Sequence, residues 1–130
     1  MNNNFVIQDG ILTKYIGAGG NVIIPTGVLS IGMMAFASCD ELTSIVIPKT
    51  VTHIDFCAFH GCKNLSSVTF LGGVKAIGMW SFRYCISLKS ISLPDSLSYI
   101  GDGAFYGCRN LTDIRLPKGI SYLGASAFFS

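Results

Sequence analysis

Residues Leu42 to Cys62 read LTSIVIPKTVTHIDFCAFHGC, and the same order of apolar, proline and cysteine positions returns every 23 residues along the chain. The period is clearest in three kinds of position, which keep their spacing without insertion or deletion. The aromatic pairs are Ala35-Phe36, Ala58-Phe59, Ser81-Phe82, Ala104-Phe105 and Ala127-Phe128; the cysteines are Cys39, Cys62, Cys85 and Cys108; the prolines are Pro25, Pro48, Pro94 and Pro117, with Leu71 in the remaining prolyl position. A fixed period of this length is typical of stacked supersecondary units.

The apolar spacing within one repeat predicts the path of the chain. Residues 44–47 alternate, which predicts a short strand with Ile45 and Ile47 pointing inward. Pro48 ends that strand, because proline cannot donate a hydrogen bond to a neighbouring coil. Val51 and Ile54 are then predicted to form a second wall of the core.

Residues 55–62 follow this second wall and carry the aromatic pair. A short helix or 3₁₀ turn fits the segment best, with Phe59 filling the interior and the small Ala58 allowing close approach of the next coil. Every strand runs in the same direction and is joined to the next by a full coil, so the sheet is expected to be parallel. The prediction is an α/β repeat solenoid, a right-handed coil with a parallel sheet on one face and short helical or 3₁₀ turns on the other.

The spacing Leu42-x-x-Ile45-x-Ile47-Pro48-x-x-Val51-x-x-Ile54-x-x-x-Ala58-Phe59-x-x-Cys62 resembles the BspA-type leucine-rich repeat of bacterial surface proteins. The resemblance covers nearly the whole chain as a single domain, 1–130. Residues 1–24 resemble the N-terminal cap of the family, with a hairpin turn at Asp9-Gly10, and residues 25–130 contain about five repeats, the last incomplete.

The resemblance implies a module for adhesion or protein recognition, often secreted or on the cell surface, with neither catalytic chemistry nor a cofactor. The start of the sequence lacks the pattern of a secretory signal. The sequence stops at Ser130, one residue before the next cysteine is due. We therefore expect a fragment of a longer protein, with an uncapped last strand that could pair with another chain.

Composition excludes two other classes of function. The net charge is only +2 and the nine Lys and Arg residues are scattered, so no basic stripe indicates nucleic-acid binding. No apolar run approaches the roughly 18 residues of a membrane-spanning helix.

Three groups of residues resemble chemical sites in composition, but their spacing favours structural roles. The cysteine column is expected to hold buried free thiols, because stacked ligands point in parallel and do not converge on a metal or a disulfide partner. Cys57 has His53 and His60 nearby in sequence, but nothing orients either imidazole for nucleophilic catalysis. The glycines of residues 17–20 lack the Lys and Ser/Thr of a phosphate loop, so a cap turn is expected.

Two surfaces remain as candidate protein-binding sites. The first, called the strand face, consists of Ser44, Val46, Ser67, Thr69, Ser90, Ser92, Asp113 and Arg115. It continues a strip begun by Asn21 and Ile23, and it either accepts an extended partner or is a solvated sheet face that lacks aromatic anchors.

The second surface, called the apolar flank, consists of Met33, Met34, Phe56, Met79 and Trp80. These residues belong to pairs expected to point outward: Met33-Met34, Phe56-Cys57 and Met79-Trp80. If exposed, the flank is a surface for a partner or for self-association; otherwise its side chains fold back onto the coil. The sequence thus predicts a non-catalytic interaction or adhesion module, with a structural spacer as the alternative.

Overall fold

The computed structural model describes residues 4–130 as a solenoid of about five coils, in which each coil adds a layer to three walls. The first three residues of the predicted cap lie outside the described residues. The strands are β1 Phe5–Gln8, β2 Ile11–Tyr15, β3 Gly20–Ile23, β4 Ser30–Ile31, β5 Leu42–Ile47, β6 His53–Ile54, β7 Ser67–Phe70, β8 Ala76–Ile77, β9 Ser90–Ser92, β10 Tyr99–Ile100, β11 Asp113–Arg115 and β12 Tyr122–Leu123.

The first wall is the predicted parallel sheet, and it is divided in two. Strands β3, β5 and β7 form one sheet, and β9 and β11 form another. The register follows the repeat, since Ser44 pairs with Ser67. The break between β7 and β9 adjoins the segment where Leu71 replaces proline and where Gly72 and Gly73 have φ of 105° and 92°. The strand face is therefore two short ladders side by side.

The second wall is also a sheet, which the sequence did not indicate. Strands β2, β4, β6, β8, β10 and β12 pair in parallel in that order, and β1 adds an antiparallel edge. Val51 and Ile54 contribute to the core from this wall, as expected. From β4 onward each strand of this second wall is only two residues long, too short for alternation to reveal it.

The N-terminal hairpin forms where it was predicted and caps the first coil. Asp9 and Gly10 both have positive φ, 54° and 80°, as the tight turn between β1 and β2 requires. Strand β2 then pairs with β4, so the hairpin extends the second wall. The ring of Tyr15 stacks on Phe36 with centroids 4.9 Å apart, which continues the aromatic column of the repeats into the cap.

The third wall, called the turn wall, consists of turns. The described residues form no helix or 3₁₀ turn there, so that part of the prediction was wrong. Within a coil, Ala35 N–H donates to the Gly32 carbonyl (3.2 Å), whereas Phe36 N–H donates to the Ala58 carbonyl of the next coil (2.7 Å). Successive amides thus bond alternately within and between coils. Left-handed residues, such as Ser38 with φ 58°, interrupt the helical path and turn the alternate amides outward toward the neighbour.

The core contains an unbroken column of aromatic rings, packed among buried aliphatic side chains. From Phe36 through Phe59, Phe82 and Phe105 to Phe128, successive ring centroids lie 4.8 to 5.2 Å apart, with planes within 14°. Rings held this close bury a large apolar area, and each pair adds about 0.5–1.5 kcal/mol beyond burial. This stacking explains why Phe occupies the same position in every repeat.

Candidate functional site

The strand face is polar and shallow. Ser67, Thr69, Ser90, Ser92, Asp113 and Arg115 are exposed, and Ser44 and Val46 are half-buried. The Ser44 hydroxyl donates to Asn21 Oδ1 (2.8 Å). A depression of about 210 Å³ is lined by Ser90, Ile91, Ser92, Asp113 and Arg115. None of the eight strand-face residues is aromatic, so this surface offers hydrogen bonds and no large apolar anchor.

The apolar flank lies on the turn wall and is largely open. Met33 is 60% exposed and Trp80 is 36% exposed, with Met34 and Met79 between these values and Phe56 half-buried. The rings of Phe56 and Trp80 lie 5.8 Å apart, which joins two coils. Cys57, expected to point outward, is buried at 7% exposure, because its short side chain occupies the same repeat position as the longer Met34 and Trp80 on either side.

A series of aromatic residues begins at Trp80 of the apolar flank and continues along the turn wall; sequence reasoning identified Trp80 and missed the other members. This aromatic cluster consists of Trp80, Arg83, Tyr84, Tyr106 and Phe129. Tyr84 and Phe129 are exposed, whereas Arg83 and Tyr106 are half-buried. The Arg83 guanidinium carbon lies 4.5 Å from the centroid of Trp80, 4.6 Å from Tyr84 and 5.4 Å from Tyr106. Tyr106 in turn stacks on Phe129 at 5.5 Å. Arg83, Tyr106 and Phe129 share one repeat position, so aligning the repeats by column would have revealed the series.

Two aromatic residues of the cluster have an unusual backbone conformation. Trp80 and Tyr84 have φ of 59° and 62°, where bulky side chains are uncommon. One period later, Gly103 and Gly107 have the same conformation. A Cβ on Gly103 would collide with the indole of Trp80, and one on Gly107 with the ring of Tyr84. The rings therefore lie on the bare backbone of the next coil, which fixes their position on the surface.

A pocket opens beside the aromatic cluster. Its volume is about 300 Å³, and it is lined by Met34, Ala37, Ser38, Cys57, His60, Trp80 and Arg83. Burial, reinforced by the positive charge of Arg83, lowers the pKa of His60. Burial raises the pKa of Cys57, which Arg83 opposes only in part. At neutral pH the pocket thus contains a neutral imidazole and a protonated thiol, a pairing unsuited to nucleophilic attack.

The cysteine column is structural. All five thiols are free; Cys57, Cys62, Cys85 and Cys108 are buried, and Cys39 is half-buried. The Cys62 thiol donates to the Phe36 carbonyl of the preceding coil (3.0 Å), and burial raises its pKa to about 12. The column therefore adds a weak hydrogen bond between coils. Among residues 4–130, no group of three His, Cys, Asp or Glu side chains is arranged to bind a metal ion.

The repeats define the family. The sequence model of the BspA type leucine rich repeat region matches residues 19–130 in six copies, and the chain belongs to this family. No functionally curated protein is significantly similar to the chain. Within the described part of the chain, no helix is long and apolar enough to cross a membrane.

Three solved structures illustrate the similarity. A leucine-rich repeat protein of T. pallidum is 31% identical with a TM-score of 0.90, over 96% of this chain and 63% of that one. One from Bacteroides ovatus is 32% identical with a TM-score of 0.67, over 84% of this chain and 34% of that one. One from Bacteroides capillosus is 25% identical with a TM-score of 0.78, over 88% and 95%. The chain thus spans less than two thirds of the length of the first two.

Proposed function

We propose that this chain is a non-catalytic recognition module that binds a protein through the apolar flank and the aromatic cluster together. The observation that supports the proposal is the continuity of these rings across four coils. Phe56 contacts Trp80 at 5.8 Å, Arg83 bridges Trp80 to Tyr106, and Tyr106 stacks on Phe129. Exposed Trp, Tyr, Met and Arg are the residues enriched in the energetic centres of protein interfaces.

The strand face is the second candidate surface and has weaker support. Its small hydroxyls, such as those of Ser67 and Ser90, offer little apolar area to bury, and its shallow depression is polar. Rigid rings held against Gly103 and Gly107 lose little side-chain entropy on binding, whereas serines and threonines bring little contact area. We therefore assign the main contact to the turn wall.

The test is a protein array probed with the purified chain and three variants. Trp80→Ser combined with Tyr84→Ser removes two central rings and is expected to weaken binding at least about tenfold, as truncating interface hot spots does. The matched control is Tyr99→Ser, which removes a similarly exposed ring from the second wall. A strand-face variant, Ser67→Asp with Ser90→Asp, is expected to bind like the wild type; loss of binding in this variant alone would move the site to the strand face.

Three further results bear on the proposal. A chain that binds no protein at high concentration would support the spacer alternative, in which stacked coils only hold neighbouring domains apart. Sedimentation of the wild type beside the Phe56→Ser, Trp80→Ser variant identifies the case in which the partner is a second copy. An array containing extracellular proteins separates an adhesion role from recognition inside the cell.

A further inference from the structure

We propose that the pocket formed by Trp80, His60 and Arg83 takes the carboxylate of an aspartate or glutamate side chain from the partner protein. This inference rests on the proposed recognition function and specifies which chemistry the partner brings to the turn wall. It follows from three features of the pocket: an unpaired cation, unused hydrogen-bonding groups and apolar walls.

The cation is Arg83, which has no acidic partner among residues 4–130. Within residues 4–130 the one ion pair is Lys63 with Asp40 (3.6 Å). Two other acids on the turn wall are already occupied: Asp55 accepts from the amide of Phe56, and Asp102 accepts from Tyr122 and Ala125. None of the described residues that line the pocket is acidic. A positive charge left without a counter-charge inside a binding surface favours a partner that supplies one.

The hydrogen-bonding groups are Arg83 Nε and His60 Nε2. Both atoms are buried and neither has a hydrogen-bond partner among the described residues. Arg83 does donate from one Nη to the Tyr84 hydroxyl (3.3 Å), which leaves most of its planar fork free. A carboxylate accepts two parallel bonds from such a fork, and these charge-assisted bonds are about twice as strong as neutral ones.

The net charge of the pocket favours a carboxylate over a phosphate. Burial and the neighbouring Arg83 lower the pKa of His60, so the imidazole is neutral near pH 7 and the pocket carries a single positive charge. A carboxylate has one negative charge, whereas a phosphate monoester has nearly two and is usually bound by several cations. The charges on the two sides therefore match for an acidic side chain.

The walls indicate what stands next to the acid in the partner. Met34 and Trp80 are exposed on either side of the buried Cys57, which forms an apolar floor. Apolar side chains around an ion pair strengthen the attraction between its charges, because the local dielectric constant is lower than that of water. A partner segment with an apolar residue directly beside its Asp or Glu would fill both parts of the pocket.

The experiment titrates the ¹⁵N-labelled chain with acetyl-Leu-Glu-Phe-amide and, as a matched probe, acetyl-Leu-Gln-Phe-amide. We expect the Glu peptide to shift the Trp80 indole and Arg83 Nε–H signals in a saturable way, and to bind about tenfold more tightly than the Gln peptide, the usual effect of losing one charged hydrogen bond. The pKa of His60 is expected to rise on binding, because a nearby negative charge favours the protonated ring.

Controls separate this inference from the recognition function. Arg83→Gln is expected to abolish the preference for Glu, while Arg115→Gln, which removes an exposed arginine from the strand face, preserves it. Equal binding of the two peptides, no binding of either, or tighter binding of a phosphoserine peptide would overturn the carboxylate site. If array partners bind the Arg83→Gln variant normally but not the Trp80 and Tyr84 variant, recognition by the rings stands and the acidic contact is refuted.

Discussion

At the scale of single residues, the repeat allows each side chain to be compared with its counterparts in the other coils. Ser81 stands where the other coils have Ala35, Ala58, Ala104 and Ala127. Its side chain is fully buried, and its hydroxyl has no hydrogen-bond partner among the described residues. A buried polar group without a partner destabilises the folded state.

We therefore predict that Ser81→Ala raises the free energy of unfolding by about 1 kcal/mol or more, because the orphaned hydroxyl is removed and no cavity is created. Urea denaturation followed by circular dichroism measures the change. The mirror variant, Ala58→Ser, is expected to lower stability by a similar amount. A less stable Ser81→Ala protein would mean that the hydroxyl is satisfied in solution by a water molecule.

At the scale of the element, each turn of the third wall needs left-handed residues at two fixed positions. One position contains Met34, Cys57, Trp80, Gly103 and Ser126, and the other contains Ser38, Gly61, Tyr84 and Gly107. Non-glycine residues in this conformation cost roughly 1–2 kcal/mol each. The amide hydrogen bonds between coils offset this conformational free energy. They occur at every coil junction, so each strained turn is accompanied by such bonds.

Gly61 offers a clean measurement of that cost. Its φ is 73°, and an added Cβ would lie 3.4 Å from Ser38 Oγ and 3.8 Å from Ser38 Cα, which are ordinary contacts. We predict that Gly61→Ala lowers the free energy of unfolding by about 1 kcal/mol through backbone strain. Gly119→Ala is the control, since Gly119 has no positive φ and its Cβ would meet nothing closer than 4.0 Å. Equal effects of the two substitutions would show that the turn imposes no left-handed requirement.

At the scale of the whole molecule, coils contact only their neighbours, so stability is expected to be a sum over coils and junctions. Deleting residues 42–64 removes one full period and would bring Phe36 onto Phe82 with every column in register. We predict a folded protein with lower stability and a smaller dependence of unfolding free energy on urea, since less surface is buried. Deleting residues 42–53 breaks the register and should abolish the cooperative transition; a folded product would contradict this picture of the core.

The sequence predicted the parts of this structure that depend on the period and missed those that depend on local backbone geometry. The solenoid, the inward Ile45 and the Asp9-Gly10 hairpin all follow from spacing and turn chemistry. The second wall was predicted, but its strands were missed because two-residue strands carry no alternation. The helical turn was wrong because amides bonding to a neighbouring coil cannot be inferred from one coil alone.

In the candidate site, too, some residues were predicted from the sequence and others were missed. Met33, Met34, Met79 and Trp80 were predicted as an apolar surface and are exposed in the structure. Arg83 and Tyr84 were missed because each is ordinary in isolation; only the three ring contacts around the guanidinium set them apart. Arg83 alone gave too weak a signal, although alignment of the repeats places it in one series with Tyr106 and Phe129. Tyr84 occupies a different repeat position and does not belong to that series.

The alternation of amide bonds at every coil junction also bears on how such genes change. Because each seam uses the same backbone groups, a slip of 69 base pairs during replication, three for each of 23 codons, inserts or removes one coil in frame, and the amide bonds between coils can form again. Each event would move the two ends of a recognition surface by about the 4.8 Å between stacked rings. The length of the recognition surface can thus change by one coil at a time, while the side chains of the remaining coils stay the same.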